Sequence, residues 1–241
     1  MTRSAPPVRR RVSRDAFDCE LCRELLDASV SLGHGADFDT GIHDCEYEHA
    51  NHLYRATTPV DAVYSILSGT VKVVRTGSAG EQRIVRVLRS GDVAEVESIS
   101  SLAFEHTAIA AGRVRACRIP IAWFRRGVAG PGRMQLLLLQ QSLAALKEAE
   151  TWFSQLTARA IPVCTRTAQL LLHLRVDAAD RILRLSVGEM GAILNIRPET
   201  VSRVLSDFGR RGIVAKERGS VTDQLYFRGN IVALEKLAQE I

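Results

Sequence analysis

The stretch SVGEMGAILNIRPETVSRVL, Ser186 to Leu205, decides how this chain is read. Ser186 suits a helix N-cap, and Glu189 three residues on completes a capping box. Met190, Ile193 and Leu194 give the helix that follows one apolar face, and Gly191 sits where a second helix would have to cross closely. Asn195 tolerates the left-handed conformation that stops a helix, and Pro198 suits the first position of the next one. In that second helix Val201, Val204 and Leu205 face inward, which leaves Glu199, Ser202 and Arg203 outward on its first turns. Arg197 and Thr200 complete the set of candidate contacts. The pattern predicts a helix-turn-helix whose second helix enters a DNA major groove. Two ordinary surface helices would also show a polar face, but here the cap, the turn residue, the proline and the exposed E-x-x-S-R triplet agree.

The rest of the composition sets bounds. A chain of 241 residues can build one large or two modest domains, and 46% hydrophobic with 24% charged residues is ordinary for a globular protein. No run approaches the roughly 18 apolar residues of a membrane span; the run Leu136–Leu139 is stopped by Gln140 and Gln141. Residues 1–14 carry five Arg and no acid, without the apolar centre of a secretory signal. Residues 1–18 are expected to be a disordered basic tail, and the protein to be cytoplasmic, with no membrane partner. Residues 15–159 carry 15 basic and 18 acidic side chains, and residues 160–241 carry 12 and 9. Positive charge therefore collects with the helix-turn-helix, as attraction to phosphates requires. No P-loop, zinc motif or nucleophile–base constellation is visible, so an enzyme is not expected.

Outward from the opening stretch, the pattern changes in blocks. Residues 15–32 look helical and hold Cys19 and Cys22. From His43 to Pro120 short β-rich runs alternate with Gly turns, as at Ser68-Gly69, Gly77–Gly80 and Ser90-Gly91-Asp92, which predicts a small antiparallel roll or barrel. Pro131-Gly132 opens a long helix to about Ala160 with two apolar stripes. Leu136, Leu139, Leu143, Leu146 and Phe153 repeat near heptad spacing around Glu150; Leu138, Ala145, Trp152 and Leu156 form the other. One stripe can pack on the roll while the other meets a partner helix, and the pattern leaves open which is the seam. Ile161-Pro162 makes a hinge, Arg166–Leu174 a further helix, and Val214–Phe227 a β-wing around Gly219. The expected class is α+β: a sensory roll at 19–130, a dimerisation helix at 131–160 and a winged helix-turn-helix at 161–241.

That order of parts resembles the CRP/FNR family of bacterial transcription regulators, from about Cys19 to Ala238. The most specific likeness is L-S-x-x-E-M-G-x-x-L-N-x-x-x-E-T-V-S-R, Leu185 to Arg203, supported by Val63–Gly69, Leu88–Asp92 and Arg166–Leu174. The resemblance implies a jelly-roll-type, cyclic-nucleotide-binding-like sensory domain and a homodimer on double-stranded DNA. It also implies contact with RNA polymerase through the hairpin at Gly77–Gly80. Family members that bind cyclic nucleotides carry Gly-Glu-Leu and an Arg-Ser or Arg-Thr pair. Here Val-Ala-Glu-Val-Glu-Ser follows Gly91-Asp92, and the later position reads Glu105-His106-Thr107, so cyclic AMP is not the expected ligand. Pro198-Glu-Thr-Val-Ser-Arg203 is similar to the FNR branch and implies a TTGAT-like half-site. Arg203 can donate twice to guanine, Glu199 can accept from a base amino group, and Ser202 can meet a base edge or the thymine methyl.

The signal is less determined. FNR-like oxygen sensors hold a [4Fe–4S] cluster on three N-terminal cysteines and one from the roll. Cys19, Cys22 and Cys117 match that pattern, but the third N-terminal cysteine is absent. Cys45 is the nearest thiol left to complete four ligands, with Asp27 or His34 as non-thiolate substitutes. A metal-free thiol switch, haem, another effector or constitutive activity are the alternatives, as is an interaction module with a degenerate helix-turn-helix. Cys164 reads as a buried hydrophobe. If Glu150 lies on a two-fold seam, paired carboxylates would hold association weak until a signal arrives.

Overall fold

The computed structural model describes residues 8–11, 19–31, 41–78, 80–94, 96–130, 133–176, 180–217 and 225–240. His34, Ala79, Pro131, Gly132 and Gly219, and the side chain of Asp27, lie outside the described residues. Two compact units emerge, residues 1–75 with 88–146 and residues 76–87 with 147–241.

The first unit begins with β1 (Val8–Arg11), α1 (Glu20–Ser31), β2 (His43–Tyr47), β3 (His52–Tyr54), β4 (Ala62–Ser68) and β5 (Val71–Thr76). β6 (Gln82–Leu88) falls, but for Leu88, in the second unit, and the first continues with β7 (Val93–Ala94), β8 (Thr107–Ala110), β9 (Val114–Pro120), α2 (Ile121–Ala129) and the start of α3 (Arg133–Thr151). The first unit's strands form an antiparallel roll of two sheets, β1-β2-β9-β4-β7 and β3-β8-β5. One expectation is corrected here. Val8–Arg11, inside the stretch read as a disordered tail, pairs with β2 from Val8 opposite Glu46 to Arg11 opposite His43. An Arg-rich run suits an edge strand, where charge also discourages further pairing.

Strand alternation divides this unit's apolar residues between two cores. Ala62, Tyr64 and Ile66 of β4, Val114 and Ala116 of β9, and Cys45 and Tyr47 of β2 point into the roll. The rings of Tyr54 and Phe104 stack there at 4.4 Å, with Tyr64 tilted beside them at 5.5 Å. Val63 of β4, and Cys117 and Ile119 of β9, point the other way. They meet Leu21, Cys22 and Leu25 of α1, Phe124 of α2, and Met134 and Leu138 of α3. The two helices α1 and α2 approach so closely that a Cβ on Gly127 would stand 2.3 Å from Leu25 Cδ2.

Trp152–Leu156 continues α3 as a π-helical turn, the wider winding common next to functional bends. The second unit then contains α4 (Val163–His173), β10 (Arg181–Leu183), α5 (Val187–Leu194), α6 (Pro198–Arg210), β11 (Val214–Lys216), β12 (Tyr226–Gly229) and α7 (Ile231–Gln239). The wing is real but larger than the sequence suggests: β12 sits between β11 and an additional strand, β10. Its helix α4 buries Thr165, Arg166, Thr167, Ala168, Leu170 and Leu171, and packs against α7. Among the described residues no helix is long and apolar enough to cross a membrane.

Candidate nucleic-acid interface and thiol cluster

The helix-turn-helix is built as its residues dictate. Ser186 Oγ accepts from the Glu189 amide at 3.2 Å, while the Ser186 amide donates to the Glu189 carboxylate at 2.8 Å. This reciprocal cap fixes the start of α5. Asn195 ends the helix at φ 53° and ψ 47°, and the Ile196 amide returns to the Gly191 carbonyl at 3.0 Å. At Gly191 a Cβ would stand 2.8 Å from the Ile196 carbonyl oxygen. No side chain fits under that turn, so glycine sets the crossing of α5 and α6. Pro198 occupies the first turn of α6.

Val201 is fully buried on α6, with Val204 and Leu205 half-buried, as the sequence expects. Phe208, which the sequence reading passed over, is the second deep anchor of the helix. Its position seven residues after Val201 was the available signal. Arg197, Glu199, Ser202 and Arg203 are exposed and Thr200 is half-buried. All five thus lie along the solvent side of α6 and its entry. A groove runs from α6 to the wing, lined by Ser202, Ser206, Lys216 and Arg184 among others. Arg184 lies over the Phe227 ring at 5.7 Å, a cation–π contact that holds its charge at the rim of this groove. Neither Arg184 nor Lys216 stood out from sequence, since each is a lone cation outside the motif.

The buried residue that positions α5 is Arg166. Its guanidinium donates to the carbonyls of Leu194 at 2.7 Å, Leu156 at 3.1 Å and Ile161 at 3.2 Å. Leu194 ends α5, where a cation also complements the helix dipole. One side chain therefore joins the last turn after α3, the hinge and the first helix of the motif.

In the first unit, Cys19, Cys22 and Cys117 come together with sulfurs within 4.8 Å of one another, all buried. Cys19 precedes α1, Cys22 follows in its first turn, and Cys117 faces them from β9. The Cys22 amide donates to Cys19 Sγ at 3.4 Å, and Ser65 Oγ of β4 lies 3.1 Å from the same sulfur. Hydrogen bonds with the Cys117 and Cys22 thiols, reinforced by Ser65, hold Cys19 down to about 3 against the upward push of burial. Cys22 is pushed up, chiefly by its bonds with Cys117 and Cys19, and Cys117 is pushed up chiefly by its bond with Cys19. The three sulfurs thus lean on one another, with Cys19 the most acidic of the three.

Cys45 does not join them, which corrects its place as a candidate fourth ligand. It pairs with Ala116 across β2 and β9, so it shares that residue's face and points into the roll. Cys117, one residue on, points to the opposite face. Cys164 stands half-buried at the start of α4.

On α3 the two stripes separate. Leu138, Trp152 and Leu156 are buried, whereas Leu136, Leu139, Leu143 and Leu146 are 53–56% exposed and Phe153 is 79% exposed. Glu150 is exposed between Leu146 and Phe153.

Known proteins share both halves of this design. Residues 45–129 match the family described as a cyclic nucleotide-binding domain, and residues 165–224 match a Crp-like helix-turn-helix domain. The chain is 28% identical to the transcriptional regulatory protein btr of Bordetella pertussis, over 86% of its length and 90% of the relative's. It is 25% identical to the anaerobic regulatory protein of Haemophilus influenzae, over 70% of its length and 68% of the relative's. The structure of FixK2 from Bradyrhizobium japonicum superposes with a TM-score of 0.67 at 21% identity, covering 82% of this chain and 98% of that one.

Proposed function

Because the chain belongs to the CRP/FNR family of transcription regulators, we propose that it acts as a homodimer on a TTGAT-like palindrome. Its hold on DNA then follows the redox state of Cys19, Cys22 and Cys117. The observation that carries the DNA-reading half is the exposure of Glu199, Ser202 and Arg203 on the solvent side of α6, with Val201 and Phe208 anchoring the opposite side. Arg203 donates to a guanine, Glu199 accepts from a base amino group, Ser202 meets a base edge or the thymine methyl, and Arg197 and Thr200 steady the approach. A two-fold dimer places the two copies of α6 one helical turn apart. The exposed leucine stripe with Phe153 supplies the seam. The hairpin tip at Gly77–Gly80 is the surface offered to RNA polymerase, and the cytoplasm is where these partners meet.

A gel shift titrated with salt, comparing TTGAT-N4-ATCAA with a scrambled duplex, tests this reading. Arg203→Ala should weaken the specific complex by about 1–3 kcal/mol per half-site and leave non-specific binding nearly unchanged. Equal affinity of the unsubstituted chain for both duplexes would remove the specific-regulator reading.

The redox half is supported by the buried thiol triad, and by likeness to relatives named as anaerobic regulators. A four-thiolate iron–sulfur cluster does not fit the donors. The chain has five cysteines; Cys45 faces the roll interior, and Cys164 lies on α4 in the other unit. The triad's leverage comes instead from its neighbours. Glu20 and Glu24 of α1 pair with Arg133 of α3 at 3.1 and 3.7 Å, and Met134 and Leu138 share the core of the cysteines. A change at the thiols that moves α1 therefore disturbs the first turns of α3, where Leu136 and Leu139 begin the seam. The roll interior filled by Tyr54, Tyr64 and Phe104 supports a signal other than cyclic AMP.

A further inference from the structure

We propose that Cys19, Cys22 and Cys117 hold a single thiophilic divalent ion of the zinc class, with the Ser65 hydroxyl at its fourth corner. This rests on the triad being the chain's sensing site, and gives that site its occupant. Three features of the geometry converge on one ion rather than a cluster.

The first is size. A tetrahedral ion with zinc–sulfur bonds of about 2.3 Å sets its thiolates about 3.8 Å apart. The three sulfurs already lie within 4.8 Å of one another, so small side-chain rotations close the site. A four-iron cluster binds each thiolate to a different iron and spreads its ligands wider than one shared ion does. The second is the donor set. Cys19 and Cys22 chelate from one helical turn, and Cys117 closes the triangle from a rigid strand. Ser65 is the cross-strand partner of Cys117 on β4, so both side chains leave the sheet on the same face. Its hydroxyl is buried and stands 3.1 Å from Cys19 Sγ. Three soft thiolates favour zinc-class ions over magnesium or calcium. The third is access. A cavity of about 220 Å³ opens beside the site, lined by Cys19, Glu20, Ser65, Ser90 and Gln141 among others. A hydrated ion can approach Cys19 and Ser65 by that route. Binding engages all three sulfurs as thiolates and releases the protons that the thiols among them still carry, and no electron moves.

The test uses the full chain, reduced, stripped of metal and kept anaerobic. Titration with cobalt(II) should give one ion per chain, with thiolate-to-cobalt charge-transfer bands and tetrahedral ligand-field bands that one equivalent of zinc abolishes. Cys22→Ser should weaken cobalt binding by about tenfold or more. Since that change also touches a packed core, Ser65→Cys provides an independent gain. It supplies a fourth thiolate, and should move the spectrum to the tetrathiolate pattern and tighten binding about tenfold. Cys45→Ala should change neither spectrum nor affinity. Absence of the cobalt–thiolate bands would overturn the proposal, as would four irons and four sulfides per chain after anaerobic reconstitution with iron and sulfide. A Ser65→Cys spectrum identical to that of the unsubstituted chain would overturn the place given to Ser65. DNA affinity of the same samples answers separately. If it ignores both metal loss and oxidation, the redox reading falls while the metal site stands.

Discussion

Arg166 concentrates much of the second unit's geometry in one side chain. Its three carbonyl acceptors come from the end of the α3 extension, the hinge and the end of α5, and it is only 4% exposed. Arg166→Met keeps the volume but leaves those carbonyls without their donor. At about 1.5–3 kcal/mol for a hydrogen bond to a charged group, the loss of several should destabilise this unit by about 3 kcal/mol or more. The first unit should melt unchanged. Two transitions followed by calorimetry would separate these, and an unaltered transition of the second unit would refute the role. Sequence marked Arg166 only as part of a helix, because its acceptors lie 5, 10 and 28 residues away in the chain. The cysteines teach the same lesson in a strand. Cys45 and Cys117 are alike in composition and neighbourhood, but the register of β2 against β9 sends them to opposite faces. Register is a property of pairing, and one residue of slip between β2 and β9 would put both thiols on the same face.

At the scale of elements, legibility follows how local the forces are. The cap at Ser186, the left-handed Asn195, the close turn at Gly191 and Pro198 all act within a few residues, so α5 and α6 are legible in the sequence itself. The short β1 and β10 depend on partners far along the chain and were not. On α3 the sequence offered two stripes, and burial separates them: Leu138, Trp152 and Leu156 face inward, while the leucines from Leu136 to Leu146 remain exposed with Phe153. Glu150 interrupts that exposed row one turn after Leu146. If the row is a two-fold seam, two carboxylates face each other across it, at a cost of order 1 kcal/mol. Glu150→Ala should then strengthen dimerisation by about fivefold and raise DNA occupancy without a signal. Sedimentation equilibrium gives the number. A dimer constant equal to that of the unsubstituted chain would place Glu150 off the seam.

Across the whole molecule, the question is how a change at three buried thiols reaches α3. The path runs through α1. Cys19 and Cys22 fix its first turn to β9, and Leu25 fixes its next turn over Gly127 of α2, where a Cβ would come within 2.3 Å. Met134 of α3 packs into that same contact, its Cε 3.6 Å from the position a Gly127 Cβ would take. Glycine here leaves the space that the Leu25 side chain fills beside Met134, in the core shared by the triad and the start of α3. Gly127→Val should act as a wedge. Overpacking of this kind costs about 1–3 kcal/mol, and it falls on the contact between α1 and α2 rather than on the DNA-reading unit. The expected variant retains the melting transition of its helix-turn-helix unit and still binds the TTGAT duplex. Its affinity for cobalt falls, because Cys19 and Cys22 stand off from Cys117, and its DNA affinity no longer differs between reduced and oxidised samples. A Gly127→Val chain that keeps both the metal affinity and the redox dependence of the unsubstituted protein would show that α1 is a passive cover, and that the thiols reach α3 by some other contact of their shared core.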